Sequence, residues 1–186
     1  LFGQNLVGPR LHFMATFIVA LGTLISAFWI LSANSWMHTP AGYELKDGIF
    51  YAKDWLAVIF NPSFPYRLTH MVLAAYLSIS LVVCAFAALH LLRGTHLESA
   101  FIMMRLALPF IAIVAVLQII AGHQHGVNTW QYQPAKVSAM EGAWETERGA
   151  PLLLFALPDT ENERNDYEIA IPGLASLIVT GELDGE

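Results

Sequence analysis

A histidine at the front of an apolar run, a pair of histidines one residue apart, and a lysine five residues before a glutamate are the side chains here whose spacing could do chemistry. His70 stands in Tyr66-Arg67-Leu68-Thr69-His70-Met71, just inside one end of a long apolar stretch. A neutral imidazole in that place can bind a haem iron axially, and a low-spin haem takes its second ligand, commonly His or Met, from a facing helix. A hydrogen-bonded histidine at the membrane interface is the commoner role from position alone, although ionisable groups at membrane depth point to function by default. His123 and His125, in Gly122-His123-Gln124-His125-Gly126, offer a second haem ligand or half of a metal site. Glycine-flanked helix ends more often only terminate a helix. His12 lies across the membrane from His70, and His90 is 20 residues further on, about 30 Å along a helix, so neither shares an iron with it. His38 and His96 fall in loops. Cys84 is the only cysteine, which rules out an intrachain disulfide and a cysteine-ligated zinc or iron–sulfur site.

Lys136 and Glu141 belong to Gln133-Pro134-Ala135-Lys136-Val137-Ser138-Ala139-Met140-Glu141-Gly142-Ala143-Trp144-Glu145. Pro134 suits a first helical position, and Val137, Met140 and Trp144 form an apolar stripe, predicting a short amphipathic helix on the membrane surface. Five residues turn about 140° around a helix, so Lys136 and Glu141 flank the stripe without pairing. A cation and a carboxylate bordering an apolar helix suit an amphipathic ligand that must lose protons; scattered surface charge is the ordinary explanation. Ser26, in Gly22-Thr23-Leu24-Ile25-Ser26, puts a hydroxyl at membrane depth, where bonding back to a carbonyl one turn earlier is expected. Met71, Met103 and Met104 read as core filler.

The elements that must position these groups are transmembrane helices. Leu11 to Tyr43, Leu68 to Leu92 and Leu106 to Ala135 contain no Asp, Glu, Lys or Arg, and each holds an apolar run equal to the roughly 20 residues that cross a bilayer. With 56% hydrophobic and 13% charged residues, the chain has more apolar surface than a soluble domain of its size could hide. The fold class is all-α, a polytopic membrane bundle of three spans in residues 1–122 (about 11–33, 67–92 and 99–122, joined by a loop over 34–66), followed by an extramembrane loop region over 123–186. Helix one ends near Asn34-Ser35-Trp36, helix two at Arg93-Gly94, and helix three carries a kinking Pro109. Lys53 to Phe60 reads as a short interfacial helix. The short loop after Arg93 makes helices two and three antiparallel neighbours. A start at Leu1 rather than Met and an end at Asp184-Gly185-Glu186 predict an internal fragment.

Charge divides the chain near His123. Residues 123–186 hold three cations against eleven carboxylates, a net −8, while residues 1–122 hold six against four, a net +2. Leu152 to Leu157 and Ile169 to Val179 are too apolar for disorder, so this acidic third is folded, with Asp159 to Glu168 as a solvated face. Three cations on each side of the spans leave the positive-inside rule evenly balanced, and the acidity after His123 favours the outside for that end.

Asn34-Ser35-Trp36-Met37-His38-Thr39-Pro40, preceded by Ala20-Leu21-Gly22-Thr23 and Ser26-Ala27-Phe28-Trp29-Ile30-Leu31, then the His70 helix, then Gln133-Pro134-Ala135-Lys136, Met140-Glu141-Gly142 and Trp144-Glu145, resemble subunit I of cytochrome bd-type quinol oxidases. The likeness runs in order along nearly the whole chain. It covers the family's fourth to sixth transmembrane helices and the first part of its external quinol loop, including Leu153-Leu154-Phe155 and Pro158-Asp159.

The resemblance implies a bacterial plasma (inner) membrane oxidase, with residues 123–186 extracytoplasmic. Such an enzyme takes electrons from quinol outside and reduces dioxygen to water at a di-haem site with cytoplasmic protons, charging the membrane without a pump. His70 falls on the axial ligand of the low-spin b haem, whose methionine partner lies on a later helix. Lys136 and Glu141 fall on loop residues tied to quinol binding and oxidation, with Glu141 the natural base and Lys136 the stabiliser of an anionic ring. Ser26 falls on a polar residue of the proton route. A second b haem and haem d belong to the complete subunit, with ligands outside residues 1–186, so the fragment alone is not sufficient for activity. The implied partners are lipid, quinol, subunit II and, as an optional addition, a small accessory subunit, with no nucleic acid among them. His38 stands where the family usually has Gln, and His123 where it has an acidic residue. The rival reading is a bis-histidine cytochrome b electron carrier using His70 with His123 or His125; a haem-free membrane scaffold or transporter is a third.

Overall fold

The computed structural model describes residue 3 and residues 6–185. Three helices are long and apolar enough to cross a membrane: α1 (Pro9–His38), α3 (Phe64–Arg93) and α4 (Leu97–Tyr132), of 30, 30 and 36 residues. At 1.5 Å per residue even the shorter two reach about 45 Å, beyond the roughly 30 Å of a hydrocarbon core. Between α1 and α3 lie a hairpin of β1 (Tyr43–Lys46) and β2 (Ile49–Ala52) and a short helix α2 (Trp55–Ile59). After α4 come α5 (Pro134–Glu141), an antiparallel hairpin of β3 (Leu152–Asp159) and β4 (Arg164–Ile171), and α6 (Leu174–Thr180). The protein is a mostly helical membrane protein, as the sequence predicts, with two small sheets added. It divides into two compact units, Leu1–Val114 and Ala115–Glu186.

In the first unit, α1 packs on α3 and on α2. Phe28 of α1 meets Phe60 and Phe64 edge-to-face, with ring centroids 6.1 and 5.0 Å apart. Above that aromatic contact lies a buried polar knot. Asn61 Nδ2 donates to Ser35 Oγ (3.0 Å) and to the Val58 carbonyl (3.1 Å), Thr39 Oγ1 donates to Asn61 Oδ1 (3.2 Å), and Ser32 Oγ donates to the Ile59 carbonyl (3.0 Å). These bonds explain why α1 continues through Ser35 to His38 rather than ending near Asn34: its last polar turn is satisfied by the segment before α3, and Pro40 then stops it. Helix α3 begins at Phe64, three residues before the predicted start, because Pro65 is tolerated in a first turn. Gly94 closes it in the left-handed region (φ +67°). Helices α3 and α4 touch where Cys84 Sγ lies 3.3 Å from Met104 Sδ and where Tyr76 meets Phe110, which makes Cys84 and Met104 packing groups.

Helix α4 runs ten residues past the predicted end at Gly122. A glycine inside a helix costs only about 1 kcal/mol relative to alanine, so Gly122 and Gly126 do not stop it. The stop is Gln133 at φ −142°, a residue that the following Pro134 excludes from helical geometry. His123 and His125 therefore sit on a helix and not on a loop end.

Candidate functional site

Helix α5 starts with Pro134 and ends at Glu141, because Gly142 takes the left-handed conformation (φ +69°) and its N–H caps back onto the Ser138 carbonyl. Trp144 consequently lies beyond the helix. The apolar stripe predicted to include it ends at Met140, and Trp144 is instead tied to β4, its Nε1 donating to Asn165 Oδ1 at 3.0 Å.

Where α5, the turn after it and β3 come together there is a cleft of about 910 Å³. Glu141 lines it together with apolar groups that include Met140, Trp144, Leu154 and Phe155. Lys136 is half-buried on the first turn of α5 and is not among the residues lining the cleft. Neither Lys136 nor Glu141 forms an ion pair among the described residues, in line with their predicted separation around the helix. The far end of β3 is closed by Asp159, whose carboxylate accepts from Asn162 Nδ2 (2.6 Å) and from the Glu161 and Asn162 amides. These bonds, the Asn162 side chain first, hold its carboxyl below the usual carboxylate range. The acidic run is thus a hairpin tip and strand, not only a solvated face.

In the first unit, His70 is half-buried on the second turn of α3. One helical turn earlier, Arg67 Nη1 donates to Asn34 Oδ1 (3.1 Å), and its Nε is buried with no hydrogen-bond partner among the described residues. A buried guanidinium N–H needs an acceptor, and a carboxylate is the one it suits best. Beside Met71 an apolar groove of about 290 Å³ runs between α1 and α3, lined by residues that include Ala20, Ala27, Val72 and Tyr76. Neither His70 nor Arg67 lines this groove, so the residues present that fit a haem are the imidazole as an iron ligand and, one turn away, a guanidinium N–H able to donate to a carboxylate.

Ser26 is exposed in the middle of α1, and its hydroxyl makes no hydrogen bond among the described residues. It is Thr23 that bonds back, to the Ala20 carbonyl at 2.7 Å, contrary to the expectation for Ser26. His90 and His96 meet edge-to-face at 5.3 Å at the α3–α4 turn, with His90 Nδ1 2.9 Å from Thr95 Oγ1. Among the described residues no three His, Cys, Asp or Glu side chains gather in a way that could hold a bare metal ion. Sequence reasoning passed over Arg67 and Asn165. The one was hidden by its ordinary place at a span end and the other by the charges around it.

The family described as cytochrome bd terminal oxidase subunit I matches residues 1–186. The chain is 33% identical over 188 residues to the cytochrome bd-II ubiquinol oxidase subunit 1 of Escherichia coli (strain K12), an overlap covering 98% of this chain and 36% of that protein. It is 30% identical over 188 residues to the cytochrome bd ubiquinol oxidase subunit 1 of Bacillus subtilis (strain 168), covering 100% and 40%. The solved bd oxidase from Geobacillus thermodenitrificans superposes with a TM-score of 0.82 at 28% identity, over 99% of this chain and 42% of that one. The chain thus spans well under half the length of these relatives. With the match running its full length and the three spans in place, the chain belongs to the cytochrome bd terminal oxidase subunit I family.

Proposed function

We propose that this chain is the part of a bd-type oxidase subunit I that oxidises quinol and carries the histidine ligand of the low-spin b haem. The observation that carries the reading is the position of Glu141. This carboxylate lines a cleft that is otherwise largely apolar and lies within the roughly 300–1,000 Å³ usual for small-molecule sites. A quinol is a flat apolar ring with two acidic hydroxyls, so it needs apolar walls and a base. Met140, Trp144, Leu154 and Phe155 supply the walls, and Glu141 accepts a hydroxyl proton. Lys136, on the same short helix but outside the cleft lining, adds positive charge near the negative charge that forms as the quinol loses a proton. Each quinol oxidised to quinone releases two electrons and two protons. When bound, haem b supplies the one-electron acceptor; His70 would hold its iron, and Arg67 would donate to a carboxylate on its edge.

In the complete enzyme the net reaction is two quinols and one dioxygen to two quinones and two waters, with quinol protons released outside and those consumed drawn from the cytoplasm. That sidedness charges the membrane without a pump. It places residues 123–186 on the extracytoplasmic side of a bacterial inner membrane, with subunit II, a second b haem and haem d completing the assembly. Ser26, a free hydroxyl at membrane depth, is a candidate for the proton route.

The test is kinetic. In the complete oxidase, Glu141→Gln should lower kcat for quinol about 10² or more, while Lys136→Ala mainly raises KM. Both should keep normal haem content and normal oxygen consumption with artificial donors that reduce the haem directly. Normal quinol kinetics in Glu141→Gln, or an equal loss with artificial donors, would show that the cleft is not the site.

A further inference from the structure

Asn165 lies near the start of β4, inside the charged run, yet its side chain reaches back to the turn that follows Glu141. Its Nδ2 donates to the Gly142 carbonyl at 2.8 Å, and its Oδ1 accepts from Trp144 Nε1 at 3.0 Å. The indole can only donate and the carbonyl can only accept, so the amide has one orientation that satisfies both. The same turn is held from β3. A Cβ on Gly142 would stand 3.0 Å from Leu153 Cδ1, so the turn packs closely on a β3 side chain. Glu141, Gly142, Trp144 and Asn165 all line the cleft, and all four also border a second pocket beside it.

We propose that Asn165 is a positioning residue for quinol oxidation, a two-bond clamp that fixes the turn carrying Glu141 and Trp144 against the β3–β4 hairpin. This rests on the reading of the cleft as the quinol site. Proton transfer needs the acceptor within about 2.6–3.2 Å of the hydroxyl, and a displacement of about 1 Å can cost up to about 10²-fold in rate. A glycine in the left-handed region gives the turn little rigidity of its own, so the clamp sets where the carboxylate and the indole stand. Asparagine suits the task because a single neutral group presents a donor and an acceptor in fixed geometry. Aspartate would set a second oxygen against the Gly142 carbonyl, and alanine would lose both bonds.

The experiment is a double-mutant cycle in the complete membrane-embedded oxidase with a short-chain ubiquinol as donor. Asn165→Ala should lower kcat on the order of 10-fold, with haem content and artificial-donor turnover unchanged. Trp144→Phe, losing one of the two bonds, should fall less. Because Asn165 acts chiefly by placing Glu141, the pair Asn165→Ala with Glu141→Gln should lose far less than the product of the two single losses, whereas a merely structural role would give losses that multiply. Asn165→Asp is isosteric and keeps the acceptor for Trp144, so it carries the same cycle if the alanine variant does not assemble. Wild-type kinetics in both Asn165 variants, or multiplying losses, would overturn the clamp while a slow Glu141→Gln enzyme leaves the quinol site standing. A Glu141→Gln enzyme with normal quinol kinetics would overturn the site and the clamp together.

Discussion

Asn61 shows how much one buried amide can organise. Its side chain is 1% exposed, and it joins the end of α1 to the segment entering α3 through Ser35, Thr39 and the Val58 carbonyl. Removing it breaks these bonds, each worth about 0.5–1.5 kcal/mol net, although Ser35 and Thr39 keep hydroxyl bonds to the Ser32 and Ser35 carbonyls. Asn61→Ala should therefore lower the thermal stability of the purified oxidase by several degrees. An unchanged unfolding temperature would show that the knot contributes nothing. At this scale the sequence points to residues where it repeats a family motif. Glu141 and Lys136 were chosen on that ground, and the cleft is lined by Glu141 but not by Lys136. Asn61, Arg67 and Asn165 were not legible, because a polar side chain shows its importance only through the distant partner it meets. Asn165 meets Trp144 across 21 residues of sequence, and no local pattern marks that pairing.

Among the elements, long helices were the easiest to read, since apolar length alone identifies them. Their ends were harder. Gly122 resembled a terminator, but the constraint that Pro134 places on Gln133 is the stronger signal, and it moves the end of α4 to Tyr132. The first hairpin was missed although it has a local mark. Asp47 and Gly48, with φ of 51° and 78°, form the two-residue turn that favours Asp-Gly, flanked by the paired Lys46 and Ile49. The second hairpin has no such mark, and irregular pairing between Leu153 and Leu157 breaks the alternation that would have revealed it. Three helices long and apolar enough to span predict that the two ends of this segment lie on opposite sides of the membrane. Cysteines introduced by Ser138→Cys and Ser99→Cys should accordingly differ towards an impermeant thiol reagent applied to intact cells, with Ser138→Cys labelled and Ser99→Cys protected. Labelling of Ser99→Cys alone would reverse the orientation.

For the whole molecule, the exposed apolar faces of α1, α3 and α4 need lipid or further helices against them, and relatives more than twice as long have the chain to supply some of these. Under the proposed function, electrons leaving the cleft need a cofactor at membrane depth. The proposed haem ligand is His70, with Arg67 one turn earlier on α3. The most direct measurement is the reduced-minus-oxidised spectrum of the complete oxidase carrying His70→Ala, with His90→Ala as the control for general damage. The low-spin b band and quinol-driven turnover should disappear in His70→Ala while the subunit still inserts in the membrane, and both should persist in His90→Ala. An unchanged low-spin band in His70→Ala would contradict the assignment of the haem ligand and the electron path built on it.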